Sequence, residues 1–171
     1  MKLKNILIVV KDIERARRFY GDSWMLGNAL VTVVVCFPEA QITNDASIML
    51  RIDYKETSLL FTGDAERMTE YIALDSATPI LADVLKVGHH GSKYSSSAEF
   101  LVGVSPKYAV ISCGRKNSYG HPHQEVLDKL KCLETTLFRT DLQGTIICYS
   151  DGINITWQTE HETNADIYTS P

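Results

Sequence analysis

Long apolar runs are absent from this chain of 171 residues. The longest candidate, "NALVTVVVCF", has the length of a β-strand, whereas a helix needs roughly 20 apolar residues to span a bilayer. The opening "MKLKNILIVVKDIERARRF" turns charged directly after its apolar part and has no small-residue cleavage site, which argues against a signal peptide. We therefore expect a cytoplasmic protein with no membrane segment.

Cysteine pairs with zinc-knuckle or disulfide spacing are absent too. Four cysteines are scattered through the chain without a C-x-x-C motif, and most lie in strand-like contexts that favour buried free thiols. The net charge of -4 excludes a broad basic surface, so any contact with nucleic acid has to be local. The length suits a single domain spanning residues 1–171.

The order of predicted elements indicates an α/β fold. A strand "KNILIVV" and a helix "KDIERARRFYGD" form an N-terminal βα unit within residues 1–25. Three β-rich runs follow, "ALVTVVVCF", "ASIMLRIDY" and "TSLLFTGD", and "YKET" is a predicted hairpin turn between the last two. Helices then alternate with the strands "ADVLKV", "KYAVISC" and "TLFRT", which predicts parallel neighbours.

The carboxyl-terminal part reads as a hairpin followed by a tail. "GTIICYS" and "NITWQT" are predicted strands, and the Asp-Gly sequence in "SDGI" favours a tight turn between them. Residues 159–171 are polar and aperiodic, so we expect a mobile tail. Residues 28–158 would then form the main body of the domain.

Three predicted βα junctions gather most of the chemistry. They read "FTGDAE", "VGHHGS" and "SCGRKNSYGHPH", and they hold four of the five histidines. If their strands run parallel, the residues that follow them emerge at one edge of the sheet, where sites form in α/β folds. His161, in the tail, is assigned no role.

Asp64 and the adjacent His89 and His90 are the candidate metal ligands. Asp64 precedes a helix and could instead be its N-cap, and the two roles are compatible because a carboxylate has two oxygens. Adjacent residues that continue a strand point in opposite directions, so we expect only one of the two histidines to face the site. Carboxylate with imidazole would form half of a zinc-like coordination shell.

His121 and His123 flank Pro122 in "YGHPHQE". Proline suits the first helical position, which predicts His121 as the N-cap, where it could donate to a phosphate or act as an acid or base. A solvent-exposed loop histidine is the alternative. Ser96 and Glu99 are predicted to form a capping box, and no neighbour is visible that would activate Ser92 as a nucleophile.

Cations cluster near the same junctions. Lys86, Lys93, Arg115 and Lys116 would suit an anionic substrate, although a solvated polar rim explains them equally well.

From about Ala46 to Trp157, four motifs in order resemble a known family. "ASIMLRIDYKETSLLFTGDAE", "ADVLKVGHHGSKYSSSAEFL", "PKYAVISCGRKNSYGHPHQEVLDKL" and "FRTDLQGTI" are similar to the C-terminal half of the metallo-β-lactamase-fold domain of DNA-internalisation competence proteins of the ComEC type. The resemblance implies part of an αββα sandwich and two metal ions, zinc or manganese, that activate water against a phosphodiester bond.

The same resemblance implies roles for individual residues. Asp64 matches the aspartate that bridges the metals, and "GHHGS" matches a later histidine ligand, His90 in preference to His89. His121 matches a position near the substrate, where it would be the catalytic residue. Ser92, Lys93 and His123 are the expected substrate-binding residues beside it.

One family motif has no counterpart in this sequence. The first ligand cluster of the family, H-x-H-x-D-H, should lie upstream, yet no histidine precedes His89. Two ligands cannot hold a dinuclear centre, because each zinc needs at least three protein ligands to bind firmly and keep a reactive position open. We therefore expect a truncated, catalytically incomplete domain that has no metal bound or holds zinc or manganese only with help from elsewhere.

The first 22 residues are similar to a second family. "MKLKNILIVVKDIERARRFYGD" resembles the opening βα unit of the vicinal-oxygen-chelate proteins, which include glyoxalase and bleomycin-resistance proteins. Asn5 stands where metal-using members carry a histidine, and a generic strand and helix explain the stretch equally well. The resemblance, if it holds, implies a gene fusion.

Three functions remain open at this point. The first is an inactive or binding domain derived from a hydrolase, and the second is a metal-dependent hydrolase of DNA or another phosphodiester, completed by a homodimer or a second chain. The third is a vicinal-oxygen-chelate-like binding protein. The apolar runs "LVTVVVCF" and "SIMLRI" predict dimerisation through the sheet face that they form.

Overall fold

The computed structural model describes residues 23–36 and 43–171, and within these residues seven strands form one main sheet. The strands lie side by side in chain order. The first four pair antiparallel, and the fourth to the seventh pair parallel. They are β1 (Ser23–Leu26), β2 (Ala29–Val35), β3 (Met49–Tyr54), β4 (Thr57–Phe61), β5 (Val84–Lys86), β6 (Tyr108–Ile111) and β7 (Thr136–Arg139).

Helices connect the parallel strands, and a separate ribbon follows the sheet. The α-helices of the described residues are α1 (Arg67–Asp75), α2 (Ala98–Val104), α3 (Gln124–Cys132) and α4 (Thr140–Gln143). Single 3-10 turns cover Thr43–Ala46 and Gly88–Gly91. The antiparallel ribbon consists of β8 (Ile146–Ser150) and β9 (Ile155–Thr159).

The main sheet is covered on both faces, which explains why its parallel strands are apolar at successive positions. Leu85 belongs to the core cluster that also holds residues of α1, α2 and α3, whereas its neighbour Val84 belongs to the cluster that includes Trp157 of the ribbon. The Trp157 ring stacks on Phe138 of β7 with 4.2 Å between ring centroids. Burying one large apolar side chain contributes about 1.5–3 kcal/mol, so both layers are needed to hold the sheet.

The described residues thus form a helical layer, a sheet and a short second sheet. This confirms the predicted α/β class and the partial αββα sandwich. The parallel pairing of β4 to β7 is confirmed, as is the hairpin at "YKET", where Tyr54 pairs with Thr57 and Lys55 has a positive φ of 54°. The predicted hairpin at "SDGI" also forms, but its loop is wider than a tight turn, because Ser150 pairs with Ile155.

The predicted N-terminal strand and helix lie outside the described residues. β1 was not predicted, and it pairs with β2 through Leu26 and Ala29 around a turn at Gly27, where φ is 62°. Residues 23–25 therefore belong with the main sheet rather than with the unit predicted for residues 1–25.

The prediction of a mobile tail is wrong for its last residues. The guanidinium of Arg139, which is almost fully buried, donates to the backbone carbonyls of Ile167 and Thr169. The Asp141 carboxylate forms an ion pair with the Arg139 guanidinium at 2.6 Å. The Tyr168 hydroxyl donates to the Thr135 carbonyl, so a buried cation and a phenol anchor the tail despite its polar composition.

The apolar runs that motivated the dimer are largely used within the monomer. Val31, Val34, Met49 and Ile52 are buried, although Leu30 is 40% exposed. A homodimer stays a prediction that no feature of the described residues tests. In the same part of the chain, no helix is long and apolar enough to cross a bilayer.

A candidate metal site at the ends of parallel strands

The loops that follow β4, β5 and β6 converge at one edge of the main sheet. The amide of His89, after β5, donates to the carbonyl of Gly63, after β4, at 3.0 Å. The Nδ1 atom of His90 lies 2.6 Å from the carbonyl oxygen of Ser112, which directly follows β6. The sequence prediction that these three junctions meet is confirmed.

Asp64 and His90 face each other across this edge. The Oδ1 atom of Asp64 lies 3.5 Å from Nε2 of His90, and the two side chains are 47% and 49% exposed. A carbonyl can only accept a hydrogen bond, so the contact with Ser112 places the imidazole proton on Nδ1. In the neutral imidazole the Nε2 lone pair is directed toward Asp64, and a backbone carbonyl commonly orients a metal-binding histidine in this way.

The alternative role of Asp64 as a helix cap is wrong. The N-cap of α1 is Glu66, and its side chain makes no capping hydrogen bond. The loop that holds Asp64 is fixed through its backbone, since the Asp64 amide donates to the Ser47 hydroxyl. The Asp64 carboxylate is therefore available to a ligand.

His89 and His90 do not continue the strand, so the expectation that they point in opposite directions is wrong. Both adopt left-handed backbone conformations, with φ of 46° and 55°. Each such residue costs about 1–2 kcal/mol, and strain of this kind collects at functional sites. Both rings lie near His121, with centroid distances of 5.7 Å and 6.5 Å.

Glu66 is a neighbour of His89 that the sequence reasoning missed. Its Oε1 atom lies 3.4 Å from Nδ1 of His89 and accepts from the Asn44 side-chain amide at 2.8 Å. His89 Nδ1 is buried and has no hydrogen-bond partner among the described residues, so the contact has ion-pair distance without hydrogen-bond geometry. In the sequence, Glu66 could have been noticed as an acidic residue two places after Asp64. A glutamate is also common at the start of a helix, so its position alone did not indicate a site.

His121 lies at the centre of the histidine cluster, which consists of His89, His90, His121 and His123. It does not cap a helix as predicted, because the N-cap of α3 is His123. Its side chain is buried in the cluster, and its backbone amide and carbonyl both bond the Asn117 side chain. Burial, followed by the nearby His123, His89 and His90, lowers the pKa of His121, while Asp64 opposes this shift. The imidazole is thereby kept neutral near pH 7.

The three predicted substrate-binding residues have different surroundings. Ser92 is 1% exposed and its hydroxyl accepts from the Tyr94 amide, which favours a role within the turn over contact with a substrate. The His123 Nδ1 atom accepts from the Lys93 amide at 3.2 Å, which joins two of the converging loops. The Lys93 ammonium lies 5.5 Å from the centre of the Tyr94 ring, and the residue is partly buried.

The predicted capping box at Ser96 is also wrong. Ser97 is the N-cap of α2, and its hydroxyl accepts from the Phe100 amide. Ser96 has a positive φ of 56°, and its amide and that of Ser97 both donate to the buried carboxylate of Glu70. Glu70 therefore holds the loop that carries the two histidines against α1.

Lys86 extends the site toward the cleft between the main sheet and the ribbon. Its ammonium donates to the Val87 carbonyl at 2.9 Å. Burial lowers the pKa of Lys86, and the charges of Asp64 and Cys113 oppose the shift. The cleft has a volume of about 630 Å³ and is lined by Lys86, Ser112 and Trp157 among others.

The donor set suits half of a metal site. A carboxylate and an imidazole with a free Nε2 are the ligand types that zinc and related ions accept. Across residues 23–36 and 43–171, no group of three or more His, Cys, Asp or Glu side chains is close enough to hold an ion by itself. The residues present fit a metal, but their number does not complete its shell.

Comparison with known proteins places this site in a family. Residues 30–115, half of the chain, match the model of the metallo-β-lactamase superfamily. The chain belongs to the metallo-β-lactamase superfamily. The matched range of this superfamily domain includes the loops after β4 and β5, which carry Asp64, His89 and His90.

Curated relatives of this superfamily domain are competence and recombination proteins. This chain is 43% identical over 109 residues to ComE operon protein 3 of Bacillus subtilis (strain 168). The alignment covers 64% of this chain and 14% of that protein. The chain is 39% identical to competence protein ComA of Neisseria gonorrhoeae, over 60% of this chain and 15% of that one. Recombination protein 2 of Haemophilus influenzae is also 39% identical, over 60% of this chain and 13% of the relative.

The metallo-β-lactamase domain thus spans about a seventh of the length of these relatives. The competence-type resemblance drawn from the motifs is confirmed at this level. The similarity of residues 1–22 to vicinal-oxygen-chelate proteins lies outside the described residues and outside the matched range, so it stays a prediction.

Proposed function

We propose that this metallo-β-lactamase domain, related to competence proteins, binds phosphodiesters through a half metal site and does not complete a hydrolytic centre on its own. Asp64 and His90 would hold one zinc or manganese ion weakly. His89 and His121 border the same space, and the remaining ligands would have to come from another chain.

The observation that carries this proposal is the Asp64–His90 pair. The Ser112 carbonyl fixes the tautomer of His90, so that its Nε2 faces a carboxylate that makes no helix cap. A carboxylate and an oriented imidazole held on three converging loops have a clear use as metal ligands. Both side chains are about half exposed, so their burial contributes little to stabilising the fold.

The surrounding residues suit a phosphodiester. A bound divalent ion supplies neutralisation of phosphate charge and a lowered pKa for water. The neutral His121 imidazole can hold or donate a proton at the same place, and Lys86 lies near enough to Asp64 for the two charges to interact. Lys93 lies on the loop after β5 and is partly buried.

A second function is favoured by the exposure of the pair. Because Asp64 and His90 are open to solvent, side chains of a second polypeptide could reach the same ion. The domain would then be one part of an active metal-dependent hydrolase. Under this alternative, hydrolysis requires a partner that brings the missing histidines.

A hydrolysis assay tests whether the site is incomplete in this chain alone. The purified chain is incubated with manganese and bis(4-nitrophenyl) phosphate or single-stranded DNA, alongside His90→Ala and the tail variant His161→Ala. We expect no turnover above manganese alone for any of the three proteins. Turnover by the unmodified chain and by His161→Ala, abolished in His90→Ala, would contradict the incomplete site and establish the hydrolase.

A further inference from the structure

Two exposed tyrosines stand on the loops that build the histidine cluster. Tyr94, on the loop after β5, is 58% exposed, and Tyr119, between β6 and α3, is 76% exposed. A single exposed aromatic residue is ordinary at a protein surface. The placement of Tyr119 is more specific, because its ring is held by the cluster itself.

Tyr119 is the outermost ring of a stack that leads to the candidate metal ligand. Its ring lies on His121 with 5.6 Å between centroids and 24° between planes. His121 in turn lies against His90 at 6.5 Å and 19°. His121 is thus stacked with both Tyr119 and His90, and the high exposure of Tyr119 leaves its outer side open to a further planar group.

Cations precede Tyr119 on the same loop. Arg115 and Lys116 are both exposed, and they lie in the sequence "GRKNSYGH" between β6 and the histidines. A planar group on Tyr119 would thus lie on a loop that carries two exposed cations, at the end of a ring stack that leads to His90. A chain in which flat bases alternate with phosphates has this pattern, and base stacking on aromatic side chains is how single strands are commonly bound.

We propose that Tyr119 is a stacking platform for one base of a single-stranded nucleic acid, with a phosphodiester further along the same strand directed toward Asp64 and His90. This inference rests on the proposed function, since it assumes that the pair faces a phosphodiester. A duplex would not fit, because its bases are paired and stacked and expose no face to the ring. Arg115 and Lys116 would contact phosphates on the outer side without selecting a sequence.

Oligonucleotide binding with and without bases tests the platform. Fluorescence anisotropy is measured in EDTA with labelled oligothymidylate and with an abasic strand of the same length. Loss of a stacked base typically weakens binding by about 5- to 100-fold. We therefore expect Tyr119→Ala to lose about this factor for oligothymidylate and to bind the abasic strand as the unmodified chain does. Tyr119→Phe should retain affinity.

Tyr71→Ala is the matched control, because Tyr71 is a 52% exposed tyrosine on α1. We expect it to bind oligothymidylate normally. Equal affinities of Tyr119→Ala and the unmodified chain would overturn the platform, as would equal losses for both strands. Absence of measurable binding by the unmodified chain would overturn it too.

Repeating the titrations with manganese in place of EDTA separates this inference from the proposed function. Tighter binding that depends on manganese and is lost in His90→Ala supports the half metal site, whatever Tyr119 does. Binding that depends on the bases but not on manganese would support base stacking on Tyr119 and contradict the proposed function. Photocrosslinking of a 5-iodouracil strand should label Tyr119 in preference to Tyr71.

Discussion

At the scale of single residues, Asp64 and Asp83 show how two aspartates of one sheet serve different purposes. Asp83 accepts from the Ser58 amide and hydroxyl and pairs with Lys107 at 2.9 Å. The Asp64 carboxylate lies 3.5 Å from Nε2 of His90 and is half exposed. We infer that Asp83 stabilises the fold and that Asp64 is kept for a ligand.

Alanine at these two aspartates should separate stability from metal binding. Asp64→Ala should change the free energy of unfolding by less than about 0.5 kcal/mol, as expected for a surface position. Asp83→Ala should cost about 1–3 kcal/mol, because it leaves buried donors of Ser58 without an acceptor. Urea unfolding measures both, and a larger loss for Asp64→Ala would contradict a ligand role.

Glu70 gives a prediction about pH. Burial raises its pKa above the ordinary value, although hydrogen bonds from Ser97 and Ser96 and the charge of Lys129 oppose the shift. The folded state therefore holds the proton more tightly than the unfolded state. This contribution to stability is present at low pH and is lost as pH rises through the raised pKa. The loss amounts to about 1.4 kcal/mol for each pH unit that separates the folded and unfolded pKa values.

Glu70→Gln should remove this dependence, because glutamine does not titrate. The stability of the unmodified chain relative to Glu70→Gln should fall as pH rises above the ordinary range of a glutamate pKa. The other carboxyl groups titrate in both proteins, so their contributions cancel in this difference. A constant difference across that range would show that the pKa of Glu70 is not raised.

At the scale of elements, the turn Gly88–Gly91 determines where the histidines point. From the sequence, the meeting of the three loops could be predicted, because hydrophobic patterns and alternating helices establish parallel strands. The direction of His89 and His90 could not be, because it depends on two left-handed residues that no local pattern requires. The caps of α1, α2 and α3 were each misplaced for the same reason, since a cap is defined by backbone angles and not by residue type.

Alanine at Gly91 should disturb this turn and the loop beside it. Gly91 has φ of +83°, and a Cβ atom there would lie 2.6 Å from Cβ of Pro122, between His121 and His123. Gly120 also has a positive φ, of +70°, but a Cβ atom there would meet nothing within 4 Å. Both variants incur the backbone strain of about 1–2 kcal/mol, and Gly91→Ala incurs the clash in addition.

We therefore expect Gly91→Ala to lose more stability than Gly120→Ala in urea unfolding. Gly91→Ala should also change the NMR signals of the His121 and His123 rings, because the loop must move to accommodate the new methyl group. Gly120→Ala should leave those of His123 in place. Equal effects of the two variants would show that the contact between the turn and Pro122 does not position the histidines.

At the scale of the whole molecule, the described residues present one edge of a sheet as an incomplete metal site. The helical layer, the main sheet and the ribbon could be predicted from the sequence as an α/β arrangement. The docking of the tail on Arg139 could not, because a buried arginine that bonds backbone carbonyls has no signature in the tail's own composition. The roles of Glu66 and Ser112 in the site could not be predicted either, because only the fold brings these residues close to His89 and His90.

Zinc titration by calorimetry tests the central claim most directly, that Asp64 and His90 form half of a metal site. After chelation and dialysis, the full chain is titrated alongside His90→Ala and the matched tail variant His161→Ala. We predict binding of about one ion with a dissociation constant in the micromolar range or weaker, because two ligands are fewer than the three that firm zinc binding requires. Binding should disappear in His90→Ala and persist in His161→Ala. Tight binding of one or two ions by the unmodified chain, or unchanged binding by His90→Ala, would contradict the account.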